Sequence, residues 1–526
     1  MHTNLLAPLK NRTFAALWVA SVISNVGTAT QAVGATWALV QAGAHPSLIG
    51  ALLAAGSAPL FLAGLPAGVL ADIIDRRKLL IAANVWAMLA AAALAAFAFL
   101  DAAPPWVLLV ATFAIGLGAA FSAPAFQAVV PELAKGEALA PAVALNSIGV
   151  NIARTIGPAL GGFIVAAAGA PATFAVNAVT TMAVVWALVA WRRPADERRL
   201  PAEHFLSAIR ASIRYARHAP GVTRILHQSV IFFGVASAPW ALLPIVATDR
   251  LDLDSGGYGA LLGAIGVGAL GAALLLSKLQ QLLGPYVLSI ANLGCATACA
   301  ALAFATNEPF AMVTVAFFGA GWIIVLTMLN VGIQNSVAGW VRARMLALYV
   351  VAYFGAFTTG SLVWGKSADL LGVPETLIVA GLVGLVTTPL LARMAKGIVY
   401  PDLSPVACHE PGLHLVPDDD HRAVLVSTDY HIAPENAHAF IAAMAELRES
   451  RLRTGAFAWR HWTDPNDASF HRESYMVESW TEHLRQSLRR TVTDEATEKR
   501  VSELASCGSR TTLLREQSSR SRGIKN

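Results

Sequence analysis

The sequence predicts an all-α polytopic membrane protein, twelve transmembrane helices in two six-helix halves, followed by a small cytosolic ferredoxin-like α+β domain. Three observations carry this. About twelve apolar runs fill Phe14 to Lys396, and a spanning helix needs roughly 20 mostly apolar residues. Lys and Arg gather on every second connection between those runs. After Tyr400 the chain turns rich in Arg, Glu, Asp and His and takes up strand and helix periods.

The composition agrees. Of 526 residues, 56% are hydrophobic and 13% charged, where a soluble chain carries roughly 25% charged residues. The net charge of +5 comes largely from the loops, so it speaks for membrane orientation and against a nucleic-acid partner. Four scattered cysteines make no disulfide framework; Cys295 and Cys299, one helical turn apart in an apolar run, read as small hydrophobes. Lys10 and Arg12 precede a run too long for a cleaved signal, so it stays as the first span.

The spans fall near 14–40, 48–71, 79–100, 106–128, 138–166, 171–191, 225–248, 257–280, 285–305, 309–334, 344–370 and 374–396. Basic connections hold Lys10/Arg12, Arg76-Arg77-Lys78, Lys135, the arginines of 192–217, Lys278, Arg342/Arg344 and Arg393/Lys396. The intervening connections are almost free of Lys and Arg. By the positive-inside rule the basic set is cytoplasmic, and with it both termini. The chain then divides into a transporter-like domain 1–396 (halves 1–191 and 225–396, joined by 192–224), a linker 397–421, an α+β domain 422–505 and a disordered tail 506–526.

Within the long middle connection, Phe205, Ile209 and Ile213 recur every four residues with Arg210, Arg214 and Arg217 turned away. That pattern is a basic amphipathic helix, suited to the inner membrane surface. The two halves echo each other. Phe113-x-Ile-Gly116-x-Gly118 leads to Gln127, and Phe317-Phe-Gly319-x-Gly321 leads to Gln334, each before a basic turn. Repeated halves with a path between them are a transporter signature.

The connection after span two reads Gly68-Val-Leu-Ala-Asp72-Ile-Ile-Asp75-Arg76-Arg77-Lys78. A carboxylate at a helix end can hold a neighbouring helix N-terminus or an Arg, and release it when the halves move. The run resembles the loop motif of the major facilitator superfamily, which implies a gating role for Gly68, Asp72, Arg76 and Arg77. Span five holds Gly149-x7-Gly157-Pro158-x2-Gly161-Gly162, with Asn151 and Arg154 before the proline. Pro158 cannot donate to the carbonyl of Arg154, so the helix can bend there. Gly157 and Gly161 allow a neighbouring helix to come close. A lone Arg near mid-span costs about 2.5–3.5 kcal/mol and so faces a cavity or a partner. This segment is similar to the antiporter motif of drug-efflux members of the same superfamily.

Polar stripes mark further cavity candidates: Asn25, Thr28 and Gln31 on span one, Gln127 on span four, Asn330 and Gln334 on span ten, Tyr349 and Tyr353 on span eleven. Several stripes in one domain argue for a lined cavity. No Asp or Glu lies well inside a span, so protons as coupling ion are implied by the resemblance alone.

Past the linker, Ala423–Ile432 alternates as a strand, Pro434–Arg451 has helical spacing, 456–462 and 470–477 read as strands, and 480–490 as a second helix. The order β-α-β-β-α suggests a ferredoxin-like domain, similar to the dimeric α+β-barrel family that includes antibiotic-biosynthesis-type monooxygenases; that resemblance implies dimerisation through this domain. His438, His461, His471 and His483 have no metal-ligand spacing of a recognised type, so neither metal nor cofactor is expected. As a whole the chain resembles enterobactin-type and drug-type exporters of the major facilitator superfamily. The resemblance implies an inner-membrane secondary transporter that exports a small amphipathic organic molecule by alternating access and is no enzyme. An importer on the same fold, and a membrane-tethered enzyme or sensor acting through the α+β domain, are the alternatives.

Overall fold

The computed structural model describes residues 6–134, 136–191, 205–396, 402–404, 406, 422–506 and 509–515. Ten of its helical segments are long and apolar enough to cross a membrane. They are built from α1 (Arg12–Gln41), α2 (Pro46–Ile73), α3 (Arg76–Phe99), α4 (Pro105–Leu133), α5 (Leu139–Ala190), α7 (Pro220–Ile245), α8 (Ser255–Leu283), α9 (Val287–Leu302), α10 (Glu308–Asn335), α11 (Arg342–Leu371) and α12 (Val373–Lys396). α6 (Phe205–Arg217) lies in the middle connection.

Local chemistry sets where these helices begin. Asn11 accepts the Thr13 N–H at 3.0 Å and starts α1. Asp75 accepts the Lys78 N–H at 3.0 Å and starts α3, while Asp254 accepts the Gly257 N–H at 2.8 Å and starts α8. These are N-caps, which satisfy amide groups that no helical carbonyl can reach. Prolines 46 and 105 open α2 and α4, where no donor is needed.

Two apolar segments, Pro141–Ala190 and Ser255–Leu302, run to 50 and 48 residues, about twice what a bilayer requires. Each is interrupted. α5 leaves helical geometry at Gly169, whose φ of 77° suits a residue without a side chain. α8 and α9 are separated by the turn Gly284–Tyr286, with Gly284 at φ 52°. Pro158 keeps helical backbone angles, and the break comes at Gly169, in the expected connection between spans five and six. The neighbouring turns of a long helix can absorb one missing hydrogen bond, whereas the left-handed angle at Gly169 reverses the chain.

Chain contacts divide the molecule into two units, and each is described by itself. The first comprises Met1–Glu203, Ile225–Val331 and Ala347–Gly397. Its largest apolar core joins residues of both halves, among them Trp37, Ile49, Leu108 and Phe174 with Leu242, Tyr258, Leu302 and Leu377. All of these lie at one end of the bundle, where α1, α7, α9 and α11 finish and α2, α4, α8, α10 and α12 begin. At the other end, two further cores are made of first-half residues: Leu17, Leu80, Val129 and Leu188 in one, Phe14, Val130 and Leu145 in the next.

The second unit comprises His204–Arg224, Gly332–Leu346 and Ile398–Asn526. Its four-stranded antiparallel sheet has the order β2 (Phe457–Asp464), β3 (Asp467–Val477), β1 (Val424–His431), β4 (Arg510–Arg515). α13 (Ala437–Thr454), α14 (Trp480–Leu488) and α15 (Val492–Leu504) accompany it. β1 alternates buried and half-buried residues as its sequence requires. Phe440, Met444 and Leu447 of α13 meet Tyr430, Ile432 and Val501 in the core.

Three expectations need correction. β4 lies in the stretch read as a disordered tail; its Leu513 faces Val426 in the ladder with β1, a partner some ninety residues away that no local pattern shows. The helix expected at 480–490 is α14, and an unexpected further helix follows it, α15, opening on a capping box of Thr491 and Asp494. α6, expected on the membrane surface, contacts α13 within its unit. Its Tyr215 and Ala216 are buried while Ile213 is 38% exposed. The face that buries was decided by partners far along the chain.

Candidate functional site

Three groups of expected residues occupy different places in the first unit. At the start of α3, Arg76 Nη1 donates to Glu132 Oε1 of α4 at 2.6 Å and to the Ala128 carbonyl at 3.3 Å. Arg77 donates to the carbonyls of Leu188 and Val189, at 2.9 and 2.7 Å, where α5 ends. The two arginines thus tie three helices of the first half together. Arg77 targets carbonyl groups at a helix C-terminus, where backbone acceptors are left over and the dipole favours a cation. Asp72 belongs to the last turn of α2, and its side chain lies outside the described atoms. A Cβ on Gly68 would meet nothing within 4 Å, so no close contact requires the glycine.

The glycines of α5 are contact points. A Cβ on Gly157 would fall 2.6 Å from Ala29 Cβ, and one on Gly161 2.9 Å from Val33 Cβ, both on α1. Gly162, one residue on, faces α8 in the other half: a Cβ there would fall 2.6 Å from the Ser255 carbonyl oxygen and 2.8 Å from Gly259 Cα. At the same end, a Cβ on Gly50 of α2 would fall 2.4 Å from the Ser361 carbonyl oxygen of α11, and Ser57 and Thr358 share a hydrogen bond of 2.6 Å. Backbone against backbone joins the halves on both sides.

The stripe on α1 serves a different purpose from the one expected. Gln31 is buried and accepts from Asn177 of the second arm of α5. Thr28 donates to Asn177 Oδ1 at 3.1 Å, and Ser24 and Thr181 lie 3.3 Å apart. This is a polar seam between two helices, and Gln31 is not a cavity residue. An amide buried in an apolar bundle must be paired, and Asn177 supplies both an acceptor and a donor. Asn25, Gln127, Asn151 and Arg154 are exposed. Asn330 is half-buried in the first unit, while Gln334 falls in the second.

Arg154, exposed on α5, is the charge expected near mid-span. It acts electrostatically on the phenols of Tyr349 and Tyr353, on α11 of the opposite half. Tyr349 is buried and donates to the Leu326 carbonyl at 3.4 Å. Tyr353 lies 4.1 Å, ring centre to ring centre, from Phe233 and 6.2 Å from Trp322. Around them Phe232, Trp240, Phe318, Phe354 and Phe357 complete an aromatic cluster from α7, α10 and α11. The sequence pattern points to Tyr349, Tyr353 and Phe357 on span eleven and not to the rings of α7 and α10. One signal was present: Phe317-Phe318 and Trp322 sit one turn apart in the repeated glycine segment. Next to the cluster, an apolar cavity of about 510 Å³ opens between α2, α7 and α11, walled by Phe61, Val230, Gly234, Gly355, Val363 and Trp364. An apolar cavity and a cluster of rings can hold a molecule that is aromatic or apolar over most of its area.

Residues 3–520 match the family described as transmembrane secretion effector, MFS_3. The chain belongs to this family of major facilitator transporters. Among relatives, the staphyloferrin A transporter of Staphylococcus aureus is 25% identical, the match covering 62% of this chain and 81% of that one. The multidrug efflux pump Tap of Mycolicibacterium fortuitum is 24% identical over 69% of this chain and 91% of its own. Solved structures share the fold. A POT family transporter in complex with 5-aminolevulinic acid aligns with a TM-score of 0.62 at 13% identity, covering 74% and 97% of the two chains. A bacterial homologue of the lysosomal transporter Spinster aligns at 0.60 with 12% identity, over 74% and 97%. This transporter is therefore a multi-pass membrane protein whose relatives are efflux pumps and siderophore transporters.

Proposed function

We propose that this transporter exports a small amphipathic organic molecule, of drug or siderophore type, from the cytoplasm by alternating access. The observation that carries the reading is the aromatic cluster of α7, α10 and α11, with Arg154 of the other half within electrostatic reach of its Tyr353. Such a site binds an amphipathic aromatic molecule by area and orients it by one charge. Counting each interrupted segment as two spans turns ten segments into twelve, the number that returns the C-terminal end to the side of the N-terminal one. The loops on that side carry the basic residues, which makes it cytoplasmic. The core shared by the halves then lies at the outer end, as expected of an inward-facing state. Arg76 with Glu132 would brace the first half as it moves, and Asp72, in the same loop motif, would supply the gating contact to the other half. The sheet order β2-β3-β1-β4 supports reading the tail as a ferredoxin-like domain. Proton antiport belongs to the same proposal.

Efflux from proteoliposomes tests it, with a panel of fluorescent amphipathic compounds and an imposed pH gradient. The expected result is gradient-dependent efflux of at least one compound that Arg154→Ala abolishes while the protein still folds. Net inward accumulation would favour an importer, and efflux unaffected by Arg154→Ala would remove the assigned site.

A further inference from the structure

The tail domain holds a second cavity, of about 320 Å³, enclosed by the sheet and α13, α14 and α15. Its volume is at the lower end of small-molecule sites, but those are mostly apolar, and this one is not. Tyr430, Arg451, Tyr475, His483, Arg490 and Glu498 line it together with several hydroxyls. Arg451 donates to Glu473 at 3.4 Å and to Glu498 at 2.5 Å, and its guanidinium lies 5.3 Å from the centre of the Tyr475 ring. Arg490 also pairs with Glu498. Glu473 is fully buried and receives hydrogen bonds from Trp459 at 2.9 Å and Tyr430 at 3.3 Å.

Two atoms of the lining residues are left without a partner: Arg490 Nε and His483 Nδ1, both buried. Each such group costs about 1–3 kcal/mol, and native interiors seldom leave two in one place. Arg490 Nε can only donate, from a group that never loses its charge. Its missing partner is an acceptor. Burial, with Arg451 nearby, holds the His483 imidazole below its ordinary range and so neutral, which leaves it free to donate or accept. With buried Glu473 counted, Arg451 and Arg490 are matched by two carboxylates, so the occupant is selected by an acceptor for Arg490 Nε and not by excess charge. The hydroxyls ask for further polar groups on the occupant.

The walls of this cavity continue into other contacts of the same unit. Glu449 receives His218 Nδ1 at 2.8 Å, and the next two residues, Ser450 and Arg451, line the cavity. Glu482 pairs with Arg489, and the next residue is His483. The Arg489 guanidinium sits 4.4 Å above the ring of Trp340, in the connection between α10 and α11, and the next residue is Arg490. Tyr215 of α6 meets Trp340 edge-on at 5.7 Å. Three pairs of consecutive residues thus place one side chain on the cavity and one on the grip around α6 and residues 337–341.

We propose that this cavity is a regulatory binding site for a small hydroxylated monocarboxylic acid, whose occupancy is read by α6 and the α10–α11 connection. The carboxylate would take the Arg490 Nε–H, and its hydroxyls would meet His483 and the serine and threonine oxygens. α6 leads directly into α7, and residues 336–341 join α10 to α11, so three helices carrying the aromatic cluster receive the signal through the chain.

The test uses the purified full chain in lipid nanodiscs, with 4-hydroxybenzoate, shikimate and gluconate as probes, each at millimolar concentration. Hydrogen exchange is followed by mass spectrometry. At least one probe is expected to slow exchange in α13 and α14 and also in α6 and 337–341. Arg490→Lys keeps the pair with Glu498 and removes the Nε donor; it is expected to weaken binding tenfold or more. His483→Leu serves as the second variant, and circular dichroism confirms that each is folded. No protection by any probe, or unchanged binding by both folded variants, overturns the site. Protection confined to α13 and α14 overturns the regulatory part. Neither reading depends on a transport measurement, so failure here is separable from failure of the export proposal.

Discussion

Gly162→Ala tests how the halves are held. The added methyl would lie 2.6 Å from the Ser255 carbonyl oxygen and 2.8 Å from Gly259 Cα. Both neighbours are backbone, so no side chain can swing away, and α5 and α8 must separate by most of an ångström to restore contact distance. Overpacking of this kind costs about 1–3 kcal/mol. The cost applies to the state in which these ends touch and not to the state in which they part. The equilibrium between them therefore shifts about five- to 150-fold toward the parted state. Spin labels placed near Gly169 of α5 and near the start of α8 would report this as growth of a long-distance population. Gly259→Ala meets the same contact from the other side, so the double variant should cost less than the sum of the two. A distance distribution indistinguishable from wild type in Gly162→Ala, with unchanged thermal stability, would refute the reasoning.

Three further outcomes follow from the same structure. Arg76→Gln and Glu132→Gln should each lower thermal stability by about 1.5–3 kcal/mol, because a charged hydrogen bond at a three-quarters-buried site is lost; a double variant as costly as the sum would show that the two do not act as a pair. Asn177→Leu should leave Gln31 unpaired, and a double-mutant cycle with Gln31→Leu should return a coupling of about 0.6–1.7 kcal/mol in denaturation. The tail domain should lose stability in mild acid. Burial holds His461, His471 and His483 below their ordinary range, so between the folded values and the unfolded value of about 6.5 the unfolded chain binds more protons. The contribution is complete above about pH 6.5 and falls away below it. Hydrogen exchange of β1 and β3 at two pH values reads this, and His461→Gln with His471→Gln should flatten the dependence; a tail equally protected at both pH values would contradict it.

Membrane location and the approximate helix positions were legible because each rests on a local quantity. Apolar run length decides whether a segment leaves water, and basic residues mark alternate loops. Gly157 and Gly161 were legible too, since a small-residue face predicts a close neighbour whatever its identity. The choice of neighbour was not. Gly157 and Gly161 meet α1, whereas Gly162 turns about 100° away to meet α8. Gln31 looked like a cavity residue until Asn177, 146 positions on, claimed its amide.

The sequence by itself determined that this chain crosses the membrane many times, which residues are costly to bury, and that a charged stretch with strand and helix periods follows the spans. It could do so because hydropathy, helix period and strand alternation are read within a few neighbouring residues. Only the tertiary structure decided that Tyr353 joins an aromatic cluster from α7, α10 and α11, that the halves share a core at one end, and that β4 completes the tail sheet. Each of these is a contact between residues far apart in the chain. Such contacts are settled by shape and by the pairing of buried polar groups, and neither is written in any single stretch of sequence.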